Sequence, residues 1–174
     1  MATIEIRESV QDDFPAIEQL YPEAFPDEDL LPVVRALLKE PAGVLSLVTI
    51  VESSLAAHVM FTSCGVTGGS ENVALLAPLA VAPARQGQGL GRAIVEAGVQ
   101  RLAKAGVTQV FVLGDPSYYG RLGFGPDADV APPYALPPEW SEAWQSMSLN
   151  GSSPRPHGTL TVPTPWRDPA LWAA

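Results

Sequence analysis

The stretch RQGQGLGRA, residues 85–93, sets Gly87, Gly89 and Gly91 two positions apart, behind an apolar run and ahead of an amphipathic one. A glycine inside a helix costs about 1 kcal/mol relative to alanine, so three at one helix start mean that a Cβ there would obstruct something. The obstructed object is either neighbouring backbone, packed close, or a ligand. The ligand chemistry is specific. The first amides of a helix lack internal partners, point outward and carry the positive end of the helix dipole, so a turn without side chains can cradle phosphate oxygens there. Two familiar phosphate turns do not fit. A P-loop needs a lysine after its last glycine, and none follows. The dinucleotide pattern G-x-G-x-x-G meets Arg92 in its last slot when counted from Gly87, and Ile94 when counted from Gly89.

Composition removes other chemistries. Cys64 is the only cysteine, which excludes a disulfide framework and a Cys/His metal set, and it reads as a packed strand residue. The net charge of −9 argues against nucleic acid as a partner, since phosphate neutralisation needs clustered Lys and Arg. It leaves open a small anion held by backbone amides. No apolar run reaches the roughly 20 residues a membrane span requires. The start MATIEIRESVQDD lacks the basic-then-apolar order of a signal peptide, so a cytoplasmic protein with no membrane partner is expected. With 174 residues, 47% hydrophobic and 17% charged, the chain suits a single domain over 1–174 with one sizeable core.

The elements that must position the glycine turn follow from periodicity. TIEIRE (3–8) alternates like a short strand, and residues 11–40 read as two helical pieces, the first capped by Asp12 or Asp13 and broken around Pro22 and Pro26. Residues 43–66, β-branched and centred on ESS, read as a hairpin. VALLAPLAVAP (73–83) is an apolar run of strand length, buried on both faces, in which Pro78 implies a bulge or an edge. From Gly89 onward, Leu90, Ile94, Val95, Val99 and Leu102 share one helical face, and Gly106 sits where a left-handed cap belongs. TQVFVLG (108–114) is a further buried strand, so residues 73–114 form a βαβ crossover with the glycines at its first turn.

The frame that fits the turn is Gln86-x-x-Gly89-x-Gly91 preceded by LAVAP, and it resembles the GNAT superfamily of N-acyltransferases. YYGRLGF, residues 118–124, is similar to that family's second signature, Y-x-x-x-G-F, and the interval of one helix and one strand matches too. LAPLAVAPARQGQGLG with VLGDPSYYGRLGF is similar to a bacterial branch of predicted N-acetyltransferases. The resemblance covers residues 44–126 well, extends in element order to 3–43, and fades beyond 130. It implies an α/β (α+β) fold with a mixed central sheet of about six or seven strands, the central ones splayed, flanked by about four helices. The core would be 3–126, with a Trp- and Pro-rich segment, 127–174, completing the sheet and the substrate side.

The resemblance also implies roles. Leu79, Ala80 and Val81 would present backbone to the pantetheine arm and thioester of acetyl-CoA, with a bulge near Pro78 supplying the splay. The amides of Gly87, Gln88, Gly89, Leu90, Gly91 and Arg92 would hold the diphosphate, Gln86 would shape the turn, and Arg92, with Arg85 possible beside it, could add charge. Tyr119 would be the catalytic proton donor to the departing thiolate. No carboxylate occurs between Val73 and Val81, where a general base often sits in this family, so Glu71, His58 through water, or water itself is left for the amine proton. GDPS replaces the family's frequent asparagine after the fifth strand, where Asp115 or Ser117 can cap a short helix.

EAFPDED (23–29) falls where the family lines its acceptor site, and its carboxylates would favour a cationic amine unless they form a solvated loop. Trp140, Trp144, Trp166 and Trp172 are all the tryptophans of the chain, so residues 131–174 are expected to fold, with a helix around PEWSEAWQSMSL and a strand in HGTLTV. The aromatics could close the substrate cleft or form a homodimer contact. The expected activity is acetyl transfer from acetyl-CoA to a primary amine of a small molecule or peptide, by direct attack in a ternary complex and without a metal. A non-catalytic acyl-CoA sensor and a phosphate-loop nucleotide binder are the alternatives.

Overall fold

Alternation in the first residues makes strand β1 (Ile4–Glu8), and an antiparallel partner, β2 (Val44–Val51), takes it up in the register Ile4↔Val51 to Glu8↔Leu47. The computed structural model describes residues 3–151 and 155–173, in two compact units: Met1–Phe61 with Ala77–Gln100, and Thr62–Leu76 with Arg101–Ala174.

In the first unit β2 turns through Glu52 and Ser53, at φ 50° and 68°, into β3 (Ser54–Val66). Both turn residues adopt the left-handed backbone that tight hairpins need, so the hairpin centred on ESS is present. The strand order continues through β3 to β4 (Val73–Val81). Helices α1 (Phe14–Ala24) and α2 (Leu31–Leu38) join β1 to β2. Asp13 makes no side-chain cap for α1. Its carboxylate accepts from the Val10 amide at 2.7 Å and from Arg7 at 2.7 and 3.0 Å, tying the helix start to β1. Pro22, expected as a breaker, lies inside α1, which ends at Phe25 with that amide on the Tyr21 carbonyl at 2.8 Å. A proline so near the helix end removes one amide and leaves no later turn to disrupt. Ile17, Leu20, Tyr21 and Val34 are buried against Val48 and Ala80.

After the glycine turn comes α3 (Leu90–Lys104), where Leu90 packs with Val51 and Ala56. A Cβ on Gly98 would overlap the Phe61 ring, so the close helix-to-strand approach is made at Gly98, a glycine the sequence did not single out. Gly106, at φ +88°, is the expected left-handed cap.

In the second unit β4 pairs in parallel with β5 (Gln109–Leu113), from Val73↔Gln109 to Leu75↔Phe111, which completes the β4–α3–β5 crossover. Helix α4 (Pro116–Gly120) follows, then the short strands β6 (Gly125–Pro126) and β7 (Val130–Ala131). The strand order here is β3-β4-β5, then β8 (Trp144–Ser148), then β6. The last strand, β9 (Gly158–Thr161), pairs with β3 and with β7. β4 therefore has neighbours on both sides and is no edge strand; its Ala77–Pro78 bond is cis, and Pro78 lies past the last residue paired with β5.

The helix expected around residues 138–149 is not formed. Pro138–Ala143 is a 3₁₀ turn, and Trp144–Ser148 is β8, antiparallel to β5 from Gln109↔Ser148 to Leu113↔Trp144. The open side of β5 supplies backbone partners that local helical preference cannot match. Trp144 stacks on Phe111 at 5.4 Å, and Trp172 meets both Trp144 and Trp166 edge to face. Their indole N–H groups are satisfied by Val130 O, Thr62 Oγ1 and Trp166 O, so these three tryptophans form core and are not free for a dimer contact. Among the described residues no helix is long and apolar enough to cross a membrane.

Candidate functional site

The first unit carries the glycine turn. Gly87 and Gly89 stand at φ +76° and +81°, and a Cβ at either would meet nothing within 4 Å. Close packing is therefore not what excludes side chains here; the backbone conformation is, and the space beyond is open. Gln86 turns its amide back to donate to the Val81 carbonyl at 3.1 Å, clamping the end of β4 to the turn. Turn bonds run from Arg85 N to Ala82 O at 2.8 Å and from Gln86 N to Pro83 O at 3.4 Å, and the helix ladder begins with Ala93 N on Gly89 O at 3.1 Å. Between them, the amides of Gly87 to Arg92 have no protein acceptor among the described residues. Arg92 pairs with Glu96 at 3.0 Å on the surface, and Arg85 lies 3.7 Å from Glu52. Leu79, Ala80 and Val81 close β4 immediately before this turn, with Ala80 buried and its two neighbours half-buried.

The second unit carries Tyr119. Asp115 caps α4, its Oδ1 accepting from the Ser117 amide and hydroxyl, both at 2.9 Å, and these bonds hold its carboxyl below the usual range. Asp115 is thus a structural cap. The ring of Tyr119 is walled edge to face by Tyr118 at 5.0 Å and Phe124 at 5.7 Å. Burial pushes its phenol above the ordinary value of 10, so it holds its proton, and its hydroxyl has no hydrogen-bond partner among the described residues.

The two side chains considered as the base, His58 and Glu71, stand in different surroundings. His58 is fully buried; its Nδ1 lies 2.7 Å from the Tyr21 hydroxyl and its Nε2 lies 2.8 Å from Ser46 Oγ, which in turn receives the Ser9 hydroxyl at 2.7 Å. Desolvation lowers its pKa to about 3, so it stays neutral and is a weak base. Sequence reasoning missed Tyr21, Ser46 and Ser9, whose types and positions carry no local signal. Glu71 sits in the turn before β4, folded back against Gly69. Cys64 is held as a thiol, burial pushing its pKa up to about 12.

Asp27, Glu28 and Asp29 line, with Tyr21, Phe25 and Leu31, a cleft of about 310 Å³ in the first unit. Glu23 is not part of its lining. No cluster of metal-ligating side chains is found among the described residues.

The first unit thus holds a strand ending in a clamped turn of left-handed glycines, with the amides of Gly87 to Arg92 unclaimed among the described residues. The chain matches the acetyltransferase (GNAT) family over residues 4–124, and it belongs to that family. It is 36% identical over 124 residues to the uncharacterized N-acetyltransferase YjhQ of Escherichia coli (strain K12), covering 67% of this chain and 68% of that one. The crystal structure of the GNAT family N-acetyltransferase YhbS from Escherichia coli in complex with CoA superposes with a TM-score of 0.84 at 28% identity, over 97% of this chain and 94% of that one. A GNAT family acetyltransferase from Brucella melitensis in complex with acetyl-CoA gives a TM-score of 0.76 at 26% identity, over 94% and 98%.

Proposed function

We propose that the chain transfers an acetyl group from acetyl-CoA to a primary amine, by direct attack of the amine in a ternary complex. The observation that carries this reading is the turn at residues 86–92, where left-handed glycines open onto free space and a run of amides is unclaimed. Acetyl-CoA supplies the thioester carbonyl that the amine attacks and the thiolate that leaves. The amides of Gly87 to Arg92 hold the diphosphate, Gln86 keeps the turn in shape, and the Arg92 guanidinium adds positive charge beside it. The backbone of Leu79, Ala80 and Val81 orients the pantetheine arm and offers an amide to the carbonyl oxygen as negative charge builds there. Tyr119 gives its proton to the thiolate and regains one from solvent, which also takes the amine proton. The amine proton goes to water, since His58 is sequestered by Tyr21 and Ser46.

The acidic cleft of the first unit suits a cationic amine, on a small molecule or a peptide. The test is free-thiol release from acetyl-CoA across a panel of amines, with the mass of the product read in parallel. Amine-dependent thiol release with one acetyl added to the amine is expected. Binding of acetyl-CoA with no turnover on any amine would make the chain a sensor, and tighter binding of ATP than of CoA would make it a nucleotide binder.

A further inference from the structure

We propose that Gly114 is a positioning residue for Tyr119: the bare backbone at the end of β5 is the seat on which the phenol ring rests, and it fixes where the hydroxyl is delivered. The inference rests on the reading of Tyr119 as the acid. A Cβ on Gly114 would overlap Tyr119 Cε2 and lie 2.9 Å from Cδ2 and 3.5 Å from Cζ. Gly114 is absent from the residues with positive φ, so its backbone would accept any L residue, and the ring alone forbids one.

The seat is itself held. The Gly114 amide donates to the Ala143 carbonyl at 3.0 Å, and its carbonyl accepts from Gln145 Nε2 at 3.2 Å. Gln145, 1% exposed, also donates to Ala143 O at 3.3 Å, so the end of β5 and the entry to β8 are pinned together beneath the ring. The other sides of the ring are closed by Tyr118 and Phe124, and the main chain of Tyr119 is fixed by its own amide on Asp115 O at 3.0 Å and by the Leu122 and Phe124 amides on its carbonyl. The phenol is therefore gripped while its hydroxyl has no protein partner among the described residues. The contact at Gly98 differs: Phe61, seated there, has no polar end to aim, so that glycine serves packing alone.

The test places Gly114→Ala in the wild type and in a Tyr119→Phe background. In the wild type, kcat should fall at least about tenfold with Kd for acetyl-CoA within about threefold, because the substitution tilts the ring and touches no binding amide. In the Tyr119→Phe background it should lower kcat by less than about twofold, since no hydroxyl remains to misplace. Should Gly114→Ala not fold, Gln145→Met, which releases the Gly114 carbonyl, should give the same two-background pattern. Equal losses in both backgrounds would overturn the proposal while leaving Tyr119 as the acid. Normal turnover in Tyr119→Phe alone would remove the acid and the proposal with it.

Discussion

The proposed role of Tyr119 as proton donor turns on its hydroxyl, which burial keeps protonated, and removing that group isolates the role. Tyr119→Phe keeps the ring contacts with Tyr118, Phe124 and Gly114. General-acid assistance is worth about 10² to 10⁴-fold, or roughly 3 to 5 kcal/mol of barrier, so kcat should fall by that range while Kd for acetyl-CoA stays within about threefold. Tyr118→Phe should be nearly silent in the same assay. His58 makes the opposite case, a titratable residue that serves the fold. Its folded pKa of about 3 lies below the ordinary 6.5, so the unfolded chain takes the proton first. Its stabilising contribution is complete above pH 6.5 and is lost as pH falls from there toward about 3, at up to about 1.4 kcal/mol per pH unit. Asp13, held low by Arg7, weakens the fold only below the ordinary carboxylate value of 3.8. Urea midpoints measured between about pH 4 and 6 should fall with acid in the wild type and flatten in His58→Gln. The motif around Tyr119 was visible because its residues are contiguous; the partners of His58 lie 37 and 12 positions away and left no mark on one another.

At the scale of elements, β4, α3 and β5 were legible because burial imposes a period on each, and the glycines between β4 and α3 marked the turn. β8 was not, because its partner β5 lies more than thirty positions back and its residues carry helix and strand preferences in nearly equal measure. Gly98 was also invisible: only the fold brings Phe61 over the helix. Two effects oppose each other there. Alanine is a better helix former than glycine by about 1 kcal/mol, but a Cβ overlapping a packed ring costs about 1 to 3 kcal/mol. Gly98→Ala should therefore lower stability to urea, and a gain would show that the ring yields freely.

For the whole molecule, a net charge of −9 repels anions in general, and the turn must offset that locally with amides and dipole to hold a diphosphate. The same charge attracts cationic acceptors. Neutralising Asp27, Glu28 and Asp29 together should raise KM for a cationic amine and reduce the salt dependence of the rate; unchanged kinetics would return that loop to solvent. The turn at residues 86–92 is proposed to hold acetyl-CoA, and its glycines offer the test. Gly89→Val meets no packing obstacle, since a Cβ there touches nothing, yet it sets a β-branched side chain and a disfavoured φ where the diphosphate must approach. Calorimetric titration of acetyl-CoA into the wild type and the folded Gly89→Val variant is the most direct measurement. Affinity at least about tenfold weaker in the variant, or about 1.4 kcal/mol, is predicted. Equal affinity in the two folded proteins would contradict it.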